Sequence, residues 1–267
     1  MKFSMLRVCV VGGLTVFPAL SQSATVPAGT APLIVHTQIH QPRLTRLVEP
    51  TLRLSSKSEN QPTVALTFDA CMGKVDDRIL DTLVENKVPA TIFVTARWLK
   101  RNASAFAVMQ AHPDLFEIED HGANHIPAID RATSVYGIKA AGSPKAVADE
   151  VQGGTDAIVK AGGLKPKFFR GATAKYTQSS IKEIEAMGYK IAGYSVNGDG
   201  GSLLGRVGTQ RRFASAKDGD VIIAHINQPT HEAGEGVVTG ILDLKKRGYR
   251  FVLLRDQPEV LGLTAQR

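Results

Sequence analysis

Cysteine is nearly absent from this 267-residue chain, which has two, Cys9 and Cys71. Cys9 falls inside a segment that reads as a cleavable leader. The remainder then keeps one thiol, and no intramolecular disulfide can staple it. A long apolar run is also missing. The longest candidate, Val8 to Leu20, is interrupted by Gly12, Gly13 and Pro18 and is too short to span a bilayer. The 32 Lys and Arg exceed the 25 Asp and Glu, but they are scattered without an aromatic-interleaved basic patch, which argues against a nucleic-acid partner. No internal repeat is visible, so a repeat array is excluded.

What is present begins with an address. Lys2 and Arg7 supply a positive start, Val8 to Leu20 an apolar core, and Ser21-Gln22-Ser23 the small residues of a cleavage site. Residues 1–23 therefore read as a signal peptide, which predicts a periplasmic or secreted protein with no membrane span after cleavage. Losing Lys2 and Arg7 lowers the net charge from +7 to +5. That mild excess suits an anionic wall or outer-membrane surface better than a basic partner.

Residues 24–62, rich in Pro, Thr, Ser and Gln, read as a lead-in with a short extended piece at Leu33–Val35. A single domain is expected over residues 63–267. Apolar content of 43% and charged content of 21% provide for an ordinary core. Strand-like runs fall at Val64–Phe68, Ala90–Val94, Leu115–Ile118, Lys167–Phe169, Lys190–Val196, Val221–Ile223 and Phe251–Leu254. Helical stretches fall at Asp76–Asn86, Ala146–Ala161, Gln178–Met187 and Val237–Arg247, and Gly162, Gly188 and Gly248 supply stop signals. Seven strands with interleaved helices predict an α/β fold, a distorted (β/α)7-type barrel with its site at the C-terminal strand ends.

The chemically capable residues cluster just after strands: Asp69, His121 with His125, Arg170, Asn197 with Asp199, and His225. Five such clusters after five strands point to one site. His121 and His125, four apart on one side of a helical turn, can reach one metal ion. Asp69 can be a ligand or a general base, and Arg170 is suited to hold it ionised. His225 is either a satisfied core residue or a proton donor. Cys71 reads more readily as a small buried residue beside its strand than as a zinc ligand.

In this order the fragments resemble the polysaccharide deacetylase family, the NodB-homology domains of carbohydrate esterase family 4. The resemblance runs from Thr63 to Leu254. Thr67-Phe68-Asp69 is similar to the family's first motif, and His121 to His125 to its two-histidine motif. Arg170-Gly171-Ala172-Thr173 falls where the arginine motif belongs, Ser195 to Asp199 loosely matches the fourth motif, and Ile223-Ala224-His225 matches the fifth. The first motif usually carries a second aspartate as metal ligand. Ala70 stands there, and water, a displaced Asp69, or Cys71, Asp76 or Asp77 are the available substitutes. The third motif lacks its proline and tyrosine, and the fourth its aspartate-tryptophan ending.

The resemblance implies a metal-dependent hydrolase that removes acetyl groups, N-acetyl before O-acetyl, from a polysaccharide. It implies a divalent metal, zinc for preference, on His121 and His125, with Asp69 as base, Arg170 as its orienter and His225 as acid. The backbone N–H of Thr173 would stabilise the oxyanion, Ile223 would line a pocket for the acetyl methyl, and Asp199 would tune His225. The competing reading is a barrel that lost its metal and became a wall-glycan scaffold.

Overall fold

The computed structural model describes residues 46–54, 61–257 and 260–265, the last by backbone alone, all within the compact unit Arg43–Arg267. The expected leader and the extended piece at Leu33–Val35 lie outside the described residues.

Twelve strands and seven helices follow one another along the described chain. The strands are β1 (Pro50–Leu54), β2 (Thr63–Ala70), β3 (Ala90–Val94), β4 (Phe116–Asp120), the hairpin β5 (Ser134–Val135) and β6 (Ile138–Lys139), β7 (Phe168–Phe169), β8 (Lys190–Ile191), β9 (Val196–Asn197), β10 (Asp220–His225), β11 (Arg250–Phe251) and β12 (Val260–Ala265). The helices are α1 (Asp77–Glu85), α2 (Ala96–Leu99), α3 (Ala103–Ala111), α4 (Pro144–Lys160), α5 (Gln178–Ala186), α6 (Gly205–Ala214) and α7 (Ala233–Lys246).

The main sheet runs in the order β12-β1-β10-β2-β3-β4-β7-β8, with parallel pairing from β10 through β8. β2 is buried along its whole length, as a central strand covered on both faces must be. Val64, Leu66, Phe68 and Ala70 pack outward against the helices, meeting Ile79 and Leu83 of α1 and Ile241 of α7. Ala65 turns inward with Phe93 and Ile223, and the period of two places Thr67 and Asp69 on that inner face.

The gap between β8 and β10 is bridged by β1, which lies in the stretch read as lead-in. β1 pairs antiparallel with β10 at Arg53 and Asp220. On its other side Leu52 and Tyr194 are joined backbone to backbone at 3.4 Å, as are Tyr194 and Pro50. Gly193 permits this approach, since a Cβ there would meet the Pro50 carbonyl oxygen at 2.1 Å. The result is the distorted (β/α)7-type barrel that the sequence predicts.

The stop signals act as expected: Gly162, Gly188 and Gly248 adopt φ of 87°, 93° and 80°. Three helices absent from the sequence reading appear, α2, α3 and α6. The arginine-rich α6 is held by α7, whose Gly240 leaves no more than room for Phe213. Two predicted strands shrink: Lys190–Val196 divides into β8 and β9, and Phe251–Leu254 yields β11 before a 3₁₀ turn at Leu254–Asp256. No helix among the described residues is long and apolar enough to cross a membrane.

Candidate active site

The C-terminal strand ends bring the predicted residues together. Asp69 is the penultimate residue of β2 and lies in register with His225 of β10. Arg170 Nη1 donates to Asp69 Oδ1 at 3.0 Å, while its Nε and Nη2 donate to the carbonyls of Ala192 and Gly193. The guanidinium stacks 4.2 Å over the Phe93 ring. Arg170 is fully buried. Burial alone would raise the Asp69 carboxyl, but His121, Arg170 and His225 outweigh it and hold it below its usual value.

His121 and His125 meet, with ring centroids 5.1 Å apart, but not on a helical turn. The backbone from 121 to 125 is a loop in which Gly122 and His125 take φ of 87° and 62°. Neighbours hold it in place. Asp120 Oδ1 accepts from Gly122 N at 2.7 Å, and Glu150 Oε1 on α4 accepts from Asn124 N and Ile126 N at 2.9 and 3.0 Å. His121 Nδ1–H donates to the Arg170 carbonyl at 2.5 Å. That bond leaves Nε2 free to face Cys71 Sγ at 3.5 Å and Asp69 Oδ2 at 3.7 Å.

Cys71 is buried, as expected, but it does not merely fill space. Its sulfur and one nitrogen each from His121 and His125 lie within 4.8 Å of one another. A tetrahedral zinc ion with bonds of about 2.0–2.3 Å holds its ligands roughly 3.3–3.8 Å apart, so this set closes around one with small adjustments. The protonation of the cluster agrees. Burial would raise the thiol and lower the imidazole, yet the charge of His121 drives Cys71 well below its ordinary value, and Asp69, then Cys71, raise His121 to about 9. By their spacing and donor chemistry the residues fit a metal. Two of the other substitutes for the absent aspartate, Asp76 and Asp77, fall away. Asp76 caps α1 and pairs with Arg78, and Asp77 is exposed.

His225 Nδ1 lies 3.1 Å from both oxygens of Asp199, and Asp199 Oδ2 accepts from His225 N at 2.7 Å. Burial would lower the imidazole, but Asp199 raises it well above its ordinary value. The imidazole also meets Cys71, at the edge of a cavity. That cavity, of about 540 Å³, is bounded by Asp69, Cys71, His125, Thr173, Ile223 and His225. Its rim carries Tyr136 of the β5–β6 hairpin, 79% exposed, and Leu203, 78% exposed. Thr173 sits at φ 68° with its Oγ1 buried and unpartnered.

The sequence profile of polysaccharide deacetylases matches residues 56–192. The chain belongs to that family. A curated relative from Pseudobutyrivibrio xylanivorans, a bifunctional xylanase/deacetylase, is 24% identical over 208 residues. The alignment takes in 78% of this chain and 32% of the relative, so the chain spans about a third of that protein's length. Among solved structures, the family 4 carbohydrate esterase PdaA of Bacillus subtilis superposes with a TM-score of 0.62 at 20% identity, covering 78% of this chain and 85% of that one. A family 4 pseudoenzyme from Bacillus anthracis gives 0.60 at 20% identity, with 76% and 67% covered. At these identities the likeness shows a shared barrel.

Sequence reasoning ranked Cys71 as filler ahead of its place as a candidate ligand, and missed Glu150 as the support of the histidine loop and Tyr136 at the rim. Strand alternation could have found the first, because residues 69 and 71 share a face. A carboxylate among the apolar positions Val147, Val151 and Ile158 of α4 was a signal for the second. Nothing local marked the third.

Proposed function

We propose that this chain is a metal-dependent deacetylase acting on an acetylated polysaccharide outside the cytoplasm, with N-acetyl groups preferred over O-acetyl groups. The observation that carries the reading is the meeting of Cys71, His121 and His125 beside an Arg170-held Asp69. Zinc suits one thiolate and two imidazoles. A divalent ion there would polarise the acyl carbonyl and acidify a water molecule.

The chain's own residues would do the rest. Asp69, kept ionised by Arg170, takes the proton of the attacking water. The backbone N–H of Thr173 faces the developing oxyanion, a contribution of about 3–4 kcal/mol for a well-placed donor. Ile223 packs against the acetyl methyl, and His225, charged by Asp199, delivers a proton to the departing amine. The leader read at residues 1–23 supports a substrate beyond the inner membrane. The scaffold alternative is disfavoured because a lost site has no reason to keep a cysteine next to Ala70 and within reach of both histidines.

The test is acetate release from a panel of N- and O-acetylated glycans by metal-loaded protein. Release from an N-acetylated glycan supports the reading. Full metal occupancy with no release from any glycan contradicts it.

A further inference from the structure

Asn227 has a buried side-chain amide with nothing to bond. The residue is 1% exposed, and neither Nδ2 nor Oδ1 has a partner. A buried amide left so costs free energy, and such groups are rare unless something is meant to meet them. Asn227 lines the same cavity as Asp69, Cys71 and His225. So does Thr173, whose Oγ1 is also unpartnered, whereas Trp98, Thr209 and Glu117, which carry the other unpartnered buried atoms among the described residues, do not.

The placement follows from strand register. His225 on β10 pairs with Asp69 on β2, and Ile226 N extends the ladder to the Asp69 carbonyl at 3.2 Å. Ile226 turns outward into the apolar layer, so the period of two returns Asn227 to the cavity, level with Cys71. The segment is fixed from both sides. Asp76 N donates to the Ile226 carbonyl at 2.8 Å, and Gly73 packs so closely that a Cβ there would meet the Asn227 carbonyl oxygen at 2.0 Å.

We propose that Asn227 is the residue that distinguishes an N-acetyl from an O-acetyl group, its Oδ1 accepting a hydrogen bond from the acetamide N–H. An ester has an oxygen at that position and cannot donate, so it would leave the buried Oδ1 unpaired. Asn227 Nδ2 remains for a neighbouring sugar hydroxyl. The same contact orients the nitrogen. With its N–H held by Asn227, its lone pair is free to take the proton of His225, two residues upstream, as the C–N bond breaks. The inference rests on the deacetylase reading and names the group that reading prefers.

The experiment uses full-length, zinc-loaded Asp69→Asn protein so that ligand is not consumed. Calorimetric titration compares an N-acetylated chito-oligosaccharide with an O-acetylated xylo-oligosaccharide, with and without Asn227→Ala. Loss of the amide should weaken binding of the N-acetylated ligand roughly tenfold to a hundredfold and leave the ester ligand within about twofold. Asn227→Asp, which keeps the acceptor and the shape, should retain the preference and serves if the alanine protein does not fold. Equal weakening of both ligands, or of neither, overturns the assignment. The two readings fail separately. An active wild type whose preference ignores Asn227 sinks this inference alone. Asn227-dependent binding without hydrolysis by the wild type sinks the hydrolase alone.

Discussion

The sulfur of Cys71 lies 3.5 Å from Nε2 of His121, fifty residues further along the chain, with His121 Nδ1 tied to the Arg170 carbonyl behind it. One backbone carbonyl thus fixes which nitrogen faces the thiol. Replacing Cys71 by Ser should therefore lower bound zinc below one ion per chain under mild chelation, while the circular dichroism spectrum is kept. In cobalt-substituted protein the thiolate-to-metal charge-transfer band should vanish with the sulfur. A cobalt spectrum identical in wild type and Cys71→Ser would remove the cysteine from the ligand set.

Arg170→Met should cost about 3–5 kcal/mol of stability, because it strands the buried Asp69 carboxylate. Urea unfolding measures this directly. The double change Arg170→Met with Asp69→Asn should recover part of the loss, since no uncompensated charge remains. Additive losses would mean that the pair is not coupled.

His225 and Asp199 predict a pH effect. His225 must be protonated to act as an acid, so kcat should fall as pH rises through its raised value. Asp199→Asn removes the attraction that raises it. The alkaline limb of the kcat profile should then move to lower pH, and a limb that stays in place would contradict the role given to Asp199.

A second pH effect lies away from the site. Burial, with Glu117 alongside, raises the Glu119 carboxyl to about 9. The folded chain then holds a proton that the unfolded chain releases above about 4.5, so stability falls as pH rises through that window. Glu119 Oε2 accepts from Lys167 N and Phe168 N at 2.8 and 2.7 Å, and a glutamine can accept the same two bonds. Glu119→Gln should flatten the decline of Tm between pH 5 and 9. Parallel curves would show that Glu119 is not the titrating group.

Much of this was legible beforehand because periodicity is local. The run Val64–Phe68 reads as a strand from β-branched and apolar residues alone, and Gly188 stops its helix without help from distant residues. The site residues were found by their positions after strands. What escaped depends on distant partners. Helix α6 is polar and gains its place from the close packing of Phe213 against Gly240. β1 is recognisable only by its pairing with β10 and its bonds to Tyr194. The histidine pair was foreseen, but its loop geometry was not, because Glu150 and Asp120 shape it from α4 and β4. Cys71 was read as filler because a lone cysteine carries no spacing signal, although its register with Asp69 placed both on one face.

The most direct measurement of the central claim is made on Asp69→Asn. Acetate release from an N-acetylated glycan and zinc per chain are determined on the same preparation. If Asp69 is the base, with Cys71, His121 and His125 as the ligands, activity falls about 10²–10⁴-fold while zinc stays near that of wild type. Zinc falling in step with activity would make Asp69 a ligand, and undiminished activity would contradict the site altogether.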